Sequence, residues 1–325
     1  MSRAPHGPQL VHLGNAVVDL VVTVPHLPER GGDVFAYGAT AHVGGGFNVM
    51  AAAARHDLPV AYAGMHGTGQ YAELARAALR DEGITVLQPP VPEIDTGVVL
   101  AFVDATGERT FVTLPGAEAH LTPAALARVQ LRPGDLLYVT GYSLAHAINC
   151  AALTAWLPGV DPRVTVVVDP GPLVASVPGE ALAVLLDRAD WVSANLAEAR
   201  AVTGDPATTA ATTVAAHLAE RAGRRGVLVR TGADGCVLVE RDGEPLTVPP
   251  VPVTVVDLNG AGDAHTGVFL AELARGATAR DAAARANGGA ALAVTRPGPA
   301  TGPTRRELDA FLDPGCGARL PAHRA

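Results

Sequence analysis

Short Val- and Leu-rich runs alternate along this chain with longer segments whose apolar positions recur at helical spacing. Residues 11–24 open as an apolar strand, turn at Gly14-Asn15, and continue as Val17-Val18-Asp19-Leu20-Val21-Val22. Asp19 interrupts a run that is otherwise fit for burial, so it needs a partner or a task. Residues 34–43 alternate loosely, as an exposed short strand does. Three glycines, Gly44, Gly45 and Gly46, then lead into an Ala-rich helix over about 48–56. Strand, turn, helix and strand follow at 60–64, 71–82 and 84–87. Residues 97–103 and 109–114 are β-rich and flank the turn formers of 104–107, which predicts a hairpin set into a βα chain, the usual form of a cap or lid. The alternation resumes with strands at 136–140, 164–169, 191–194 and 227–230. A second hairpin spans 236–240 and 246–248, and helices at 263–275 and 278–293 precede a Gly/Pro-rich stretch over 296–303. Such alternation predicts a mostly parallel sheet covered by helices on both faces. Residues 314–325 read as a frayed tail.

Composition narrows the chemistry. At 325 residues the chain is long enough for two ordinary domains or one large α/β domain with an appendage. Aromatics are few (two Trp, five Tyr, six Phe), so Ala, Val, Leu and Gly fill the core. The net charge is −8 with no basic tail, which argues against nucleic acid or an anionic membrane as partner. The longest apolar runs are six residues, far short of a bilayer span. Residues 1–10 lack the apolar stretch of a signal peptide, and Cys150, Cys236 and Cys316 form neither a disulfide framework nor a CxxC pair. These features predict a soluble, cytoplasmic protein. All 24 basic residues are Arg. A P-loop, a protein-kinase strand lysine and Schiff-base chemistry are therefore excluded. Any phosphate must be handled by Arg and by backbone N–H groups.

The densest chemistry lies at Asp257-Leu258-Asn259-Gly260-Ala261-Gly262-Asp263-Ala264-His265. Glycines at a helix start leave several N–H groups pointing at one spot, a ready anion site. Asp263 inside that loop either caps the helix or accepts a proton from whatever attacks the anion. A rival loop, Gly67-Thr68-Gly69-Gln70-Tyr71-Ala72, matches GxGxxA, but no acidic ribose ligand follows at Leu87 to Pro90, so it reads as a structural turn. Gly141-Tyr142-Ser143-Leu144-Ala145 imitates a nucleophile elbow without its final Gly. The histidines are scattered and show no zinc spacing; His265 alone stands beside the Asp263 loop.

Together these segments resemble the ribokinase-like (pfkB-type) carbohydrate kinases, from about residue 11 to residue 312. The late signature of that family stands here as Asp257-Leu258-Asn259-Gly260-Ala261-Gly262-Asp263, and the early one as Gly44-Gly45-Gly46-Phe47-Asn48 with a later Gly67. The N-x-x-E element is Asn195-Leu196-Ala197-Glu198, and residues 107–111 and 115–117 match the lid region. The resemblance implies a single kinase domain over 1–325, a three-layer α/β/α fold with a mostly parallel central sheet. A small β lid would come from about 12–24, 34–44 and 96–115. It implies an ATP-dependent sugar kinase acting on a primary hydroxyl, with Asp263 as base and the amides of Gly260, Ala261 and Gly262 as anion hole. Asp19, Gly45, Asn48 and His265 would contact the sugar. Asn195, Arg230, Gly232, Gly235 and Asn287 would shape the nucleotide pocket. Glu198 would act on Mg2+ indirectly, and Asp257, Asn259, Val294 and Gly298 would hold a monovalent cation such as K+. Pairing of lid edges predicts a homodimer. Leu258, Asn259 and Arg230 depart from the usual residues of the pattern, and G-A-G-D-x-H resembles a subgroup of bacterial sugar kinases. A nucleoside kinase of the same fold and a catalytically silent sugar- or nucleotide-binding regulator are the competing readings.

Overall fold

A computed structural model describes residues 7–313; the expected frayed tail at 314–325 lies outside the described residues. The central sheet is built from β1 (Leu10–His12), β4 (Val60–Tyr62), β5 (Thr85–Val86), β8 (Leu136–Thr140), β9 (Thr165–Asp169), β10 (Trp191–Asn195), β11 (Gly226–Arg230), β12 (Cys236–Glu240) and β13 (Leu246–Val248). Their order is β13-β12-β11-β10-β9-β8-β1-β4-β5. All pairs are parallel except β11 with β12 and β12 with β13, the hairpin expected around Asp242-Gly243. Strand β1 lies between β8 and β4, so the chain winds outward from β1 in both directions. Ligands of open α/β sheets bind at the carboxyl ends of strands beside such a switch point.

Residues of one strand point to opposite layers. Leu137 and Val139 of β8 join one core, while Leu136 and Tyr138 join the other. That is why the inner strands read as continuous apolar runs rather than as alternating ones. One layer contains α3 (Pro123–Leu126), α4 (Gly141–Leu144), α5 (Ala147–Trp156), α6 (Gly179–Arg188), α7 (Leu196–Thr203) and α8 (Ala211–Arg221). The other contains α1 (Phe47–Ala54), α2 (Gln70–Asp81), α9 (Ala261–Ala274), α10 (Ala279–Ala293) and α11 (Arg305–Leu312). Among the described residues, no helix is long and apolar enough to cross a membrane.

The small second sheet has the order β3-β2-β6-β7, with β2 (Val17–Thr23), β3 (Gly38–Gly44), β6 (Val98–Val103) and β7 (Arg109–Leu114). The hairpin expected over 97–114 is the antiparallel pair β6–β7. The expected lid boundary at residue 12 moves inward, because Leu10, Val11 and His12 pair with β4 and β8 of the central sheet. The chain crosses to the small sheet only after the Gly14-Asn15 turn.

Candidate active site

Helix α9 starts where the sequence demands it. Gly260 has φ +74°, a left-handed conformation, and a Cβ there would overlap the Pro299 carbonyl oxygen. The helix therefore begins in a tight turn, and its first amides have no acceptor one turn back. Among the described residues the N–H groups of Gly260, Gly262 and Asp263 have no acceptor. The expected third donor, Ala261, is different: its amide reaches the Leu258 carbonyl at 3.3 Å. The donors left open at this turn are thus the amides of Gly260, Gly262 and Asp263 itself.

Asp263 stands in the first turn of α9, and Asn48 Nδ2 donates to its Oδ2 at 3.0 Å. Asn48 is buried at the start of α1, and α1 can approach α9 closely because position 267 is glycine. A Cβ there would come within 2.6 Å of Ala52 Cβ and of the Val49 carbonyl. Burial pushes the Asp263 carboxyl up to about 6 against the pull of the Asn48 hydrogen bond, and the charges of Asp169 and Asp19 add to the rise. A helix-capping role would need its side chain to accept from an amide of its own first turn. Its side chain accepts from Asn48 instead.

A second polar group assembles on β2 and the glycine turn. The Asp19 carboxylate has no hydrogen-bond partner among the described residues, and burial pushes it up to about 6. Its carboxylate lies against Gly44 of the neighbouring strand, where a Cβ would overlap it. Gly45 has φ +63°, and Asn15 Oδ1 pins the turn by accepting the Gly46 amide at 3.0 Å. Asn48 Oδ1 is buried with no partner, an acceptor free for a hydroxyl. Asn15 was not expected in the site; an Asn following Gly between two apolar runs was its only signal.

Arg230 is the centre of the other half. Its side chain is 13% exposed, far from a surface role. Nη1 donates to Ser193 Oγ at 2.6 Å and to Thr266 Oγ1 at 3.2 Å. Nη2 faces Asp169 Oδ2 at 3.3 Å and Glu198 Oε2 at 3.5 Å. Its Nε lies beside Gly262, 3.3 Å from where a Cβ would stand. The N-x-x-E element proves to be a capping box: Asn195 Oδ1 accepts the Glu198 amide and Glu198 Oε2 accepts the Asn195 amide, both at 2.8 Å. Burial and the nearby Asp169 push Glu198 up to about 7. Tyr142 is pushed up to about 12, by burial first and then by Glu198, Asp169, Asp263 and Asp19. One phenol thus registers the carboxylates of both halves. Asp169, Ser193 and Thr266 escaped the sequence reading; a strand-terminal Asp after three valines was the one visible clue.

Beside Arg230 opens a cavity of about 750 Å³ whose wall includes Asn195, Gly232, Gly235, His265 and Asn287. Its outer wall, Pro250 to Val253 with Val255 and Leu258, is apolar and suits a flat ring. Gly235, at φ +87°, leaves room for the Val248 carbonyl. His265, expected to contact the sugar, stands in this wall beside Asn287. Asn287 Nδ2 donates to the Val248 and Pro249 carbonyls, so its Oδ1 accepts from His265 Nε2 at 3.1 Å. Burial, with Arg230 nearby, pushes this imidazole down to about 3, so it is neutral.

Asp257, Asn259, Val294 and Gly298 also come together. The Asp257 carboxylate accepts the Asn259 amide at 2.9 Å and the Gly298 amide at 3.1 Å, and the Val294 carbonyl accepts the Val256 and Asp257 amides. The two rival motifs are structural, as expected. Asp95 accepts the Tyr71 and Ala72 amides and so occupies the start of α2, while Ser143 is buried with its Oγ on the Leu13 carbonyl.

The family profile described as pfkB family carbohydrate kinase matches residues 8–305. An uncharacterised sugar kinase, YegV, of Escherichia coli (strain K12) is 33% identical over 297 residues, 91% of either chain. Among solved structures, ribokinase from Thermotoga maritima superimposes with a TM-score of 0.80 at 24% identity, covering 94% of this chain and 99% of its own. Arabidopsis thaliana ribokinase complexed with ribose and ATP does so with a TM-score of 0.79 at 23% identity, covering 94% and 99%.

Proposed function

The chain belongs to the pfkB family of carbohydrate kinases, which are ATP-dependent, and on that footing we propose that it moves the γ-phosphoryl group of ATP to a primary hydroxyl of a sugar or sugar derivative. The observation that carries this reading is Asp263, a proton acceptor set among free amides. A carboxylate there serves an attacking alcohol; in a pocket meant only for anions it would be a liability. In this reading Asp19 and Asn48 Oδ1 accept hydroxyls of the sugar, and the glycine turn at Gly45 lets the backbone approach it. The hydroxyl that attacks gives its proton to Asp263. The amides of Gly260, Gly262 and Asp263 receive the charge that develops on the phosphoryl oxygens. Arg230 faces the nucleotide phosphates through its Nε, held in place by Ser193, Thr266, Asp169 and Glu198. His265, Asn287, Gly232 and Gly235 line the pocket for the base and ribose.

ATP is used with a divalent cation. Glu198 Oε1 accepts nothing among the described residues, and Asp169 shares Arg230 with Glu198, so this pair suits the water shell of Mg2+. Bound there, the ion would supply charge neutralisation on the phosphates.

The test is a coupled ADP-release screen over pentoses, hexoses, their acids and nucleosides, run beside Asp263→Asn. A sugar should give turnover that this variant loses. Preference for a nucleoside over every sugar would refute the acceptor class. Ligand-induced thermal shifts without any ADP release would make the protein a silent binder instead.

A further inference from the structure

Asp257 sits just ahead of the anion-hole turn and receives a third donor from far away in the chain. Arg109, the first residue of β7 in the small sheet, places Nη2 3.0 Å from Asp257 Oδ1. The two are separated by 148 residues, and their side chains are 38% and 18% exposed. Burial works against the charge of Asp257, yet the Asn259 and Gly298 amides and this guanidinium outweigh it and hold the carboxyl below its usual range.

That donor set does not fit the monovalent cation expected at Asp257, Asn259, Val294 and Gly298. The Val294 carbonyl has two lone pairs, and the Val256 amide at 2.7 Å and the Asp257 amide at 3.1 Å use both. The Asp257 carboxylate already carries two amides and a full positive charge. A second cation on the same carboxylate would stand about one ion-pair distance from the guanidinium and be repelled by it.

Resting on the kinase reading above, we propose that Arg109 supplies the positive charge at Asp257, so that phosphoryl transfer here proceeds without a monovalent cation. Arg109 is a positioning residue. It touches no reacting atom but acts through Asp257, whose carboxylate fastens Asn259 on one side and Gly298 on the other and so shapes the turn that ends at Gly260. An uncompensated Asp257 so close to the anion hole would also oppose the phosphoryl charge that the open amides receive. Because the guanidinium comes from the small sheet, the turn is braced by the same element that borders the acceptor side through Asp19.

The experiment compares the full chain with Arg109→Ala and Arg109→Lys in potassium chloride and in tetramethylammonium chloride at equal ionic strength. Melting temperature and steady-state ADP release are read in parallel. The wild-type chain should melt alike in both salts and keep kcat within about twofold, since its carboxylate is already compensated. Arg109→Ala should lose about tenfold or more in kcat in tetramethylammonium, the scale of one charge-assisted hydrogen bond. It should recover part of that loss in potassium and melt higher there. Arg109→Lys should stay indifferent to the salt. A wild-type chain that needs potassium for turnover, or an Arg109→Ala variant as active as wild type in tetramethylammonium, overturns the assignment. Absence of wild-type turnover with every acceptor defeats the kinase reading instead, and the melting comparison then decides the role of Arg109 by itself.

Discussion

With Asp263 as the proposed base, its burial-raised pKa of about 6 places the acid limb of the reaction, because only the ionised carboxylate can take a proton. kcat/KM should rise with pH through that value and level off above it, as a pH–rate profile with the best sugar will show; Asp19, also near 6, steepens the same limb. Asp263→Asn should lower kcat by about 10³-fold while ATP still raises the melting temperature. Stability runs the other way. Burial raises the folded-state pKa of Asp263 above its ordinary 3.8, so the folded chain binds that proton more tightly than the unfolded chain does. The stability this contributes is present below 3.8 and is lost as pH rises through about 6. At pH 8 Asp263→Asn should therefore melt about 2–4 °C higher than wild type, and an unchanged or lower melting temperature would contradict the buried, charged state argued for it. The residue was plain in the sequence as a carboxylate out of place among glycines. Its partner Asn48, 215 positions earlier, was visible only as part of a family pattern.

Helices α1 and α9 pack side by side to bring Asn48 against Asp263, and the contact depends on missing atoms. Helix α1 brings Asn48, helix α9 brings Asp263, and Gly267 lets the two backbones close. Gly267→Val should wedge them apart and cut kcat at least tenfold while the KM for ATP changes by no more than about twofold, because the cavity wall lies on the other side of α9. Equal kcat in the two proteins would show that the Asn48 contact does not orient the base. Helix α7 shows how far local pattern carries. N-x-x-E is legible as a capping box before any ligand is invoked, and the structure confirms that role for both side chains. What the pattern left out is that the same Glu198 turns its charge toward Arg230. That needs β10 and β11 side by side, which no helix signal encodes.

Across the whole molecule the small sheet presents two open edges, β3 and β7, and β7 is exposed along its full length. Phe35 and Tyr37 just ahead of β3, and Phe111, Val112 and Leu114 on β7, are exposed apolar side chains along these two edges, Phe111 being 59% exposed. Paired edges of a second copy would cover both the backbone groups and these side chains. Sedimentation should give a dimer, and Phe111→Asp should give a monomer that still binds ATP; a wild-type monomer would remove the dimer from the account. The sequence by itself determined the order of strands and helices, the inserted hairpin, the late glycine turn with its carboxylate, and the exclusion of lysine chemistry. Those follow from period, turn chemistry and residue type, all of which are local. Tertiary structure alone decided that Arg230 lies among Asp169, Ser193, Glu198 and Thr266, that His265 stands in the cavity wall with Asn287, and that Arg109 reaches Asp257. Each is a pairing between groups whose distance is fixed by strand order around β1 and by the seating of one sheet on another, and neither leaves a periodic trace in the chain.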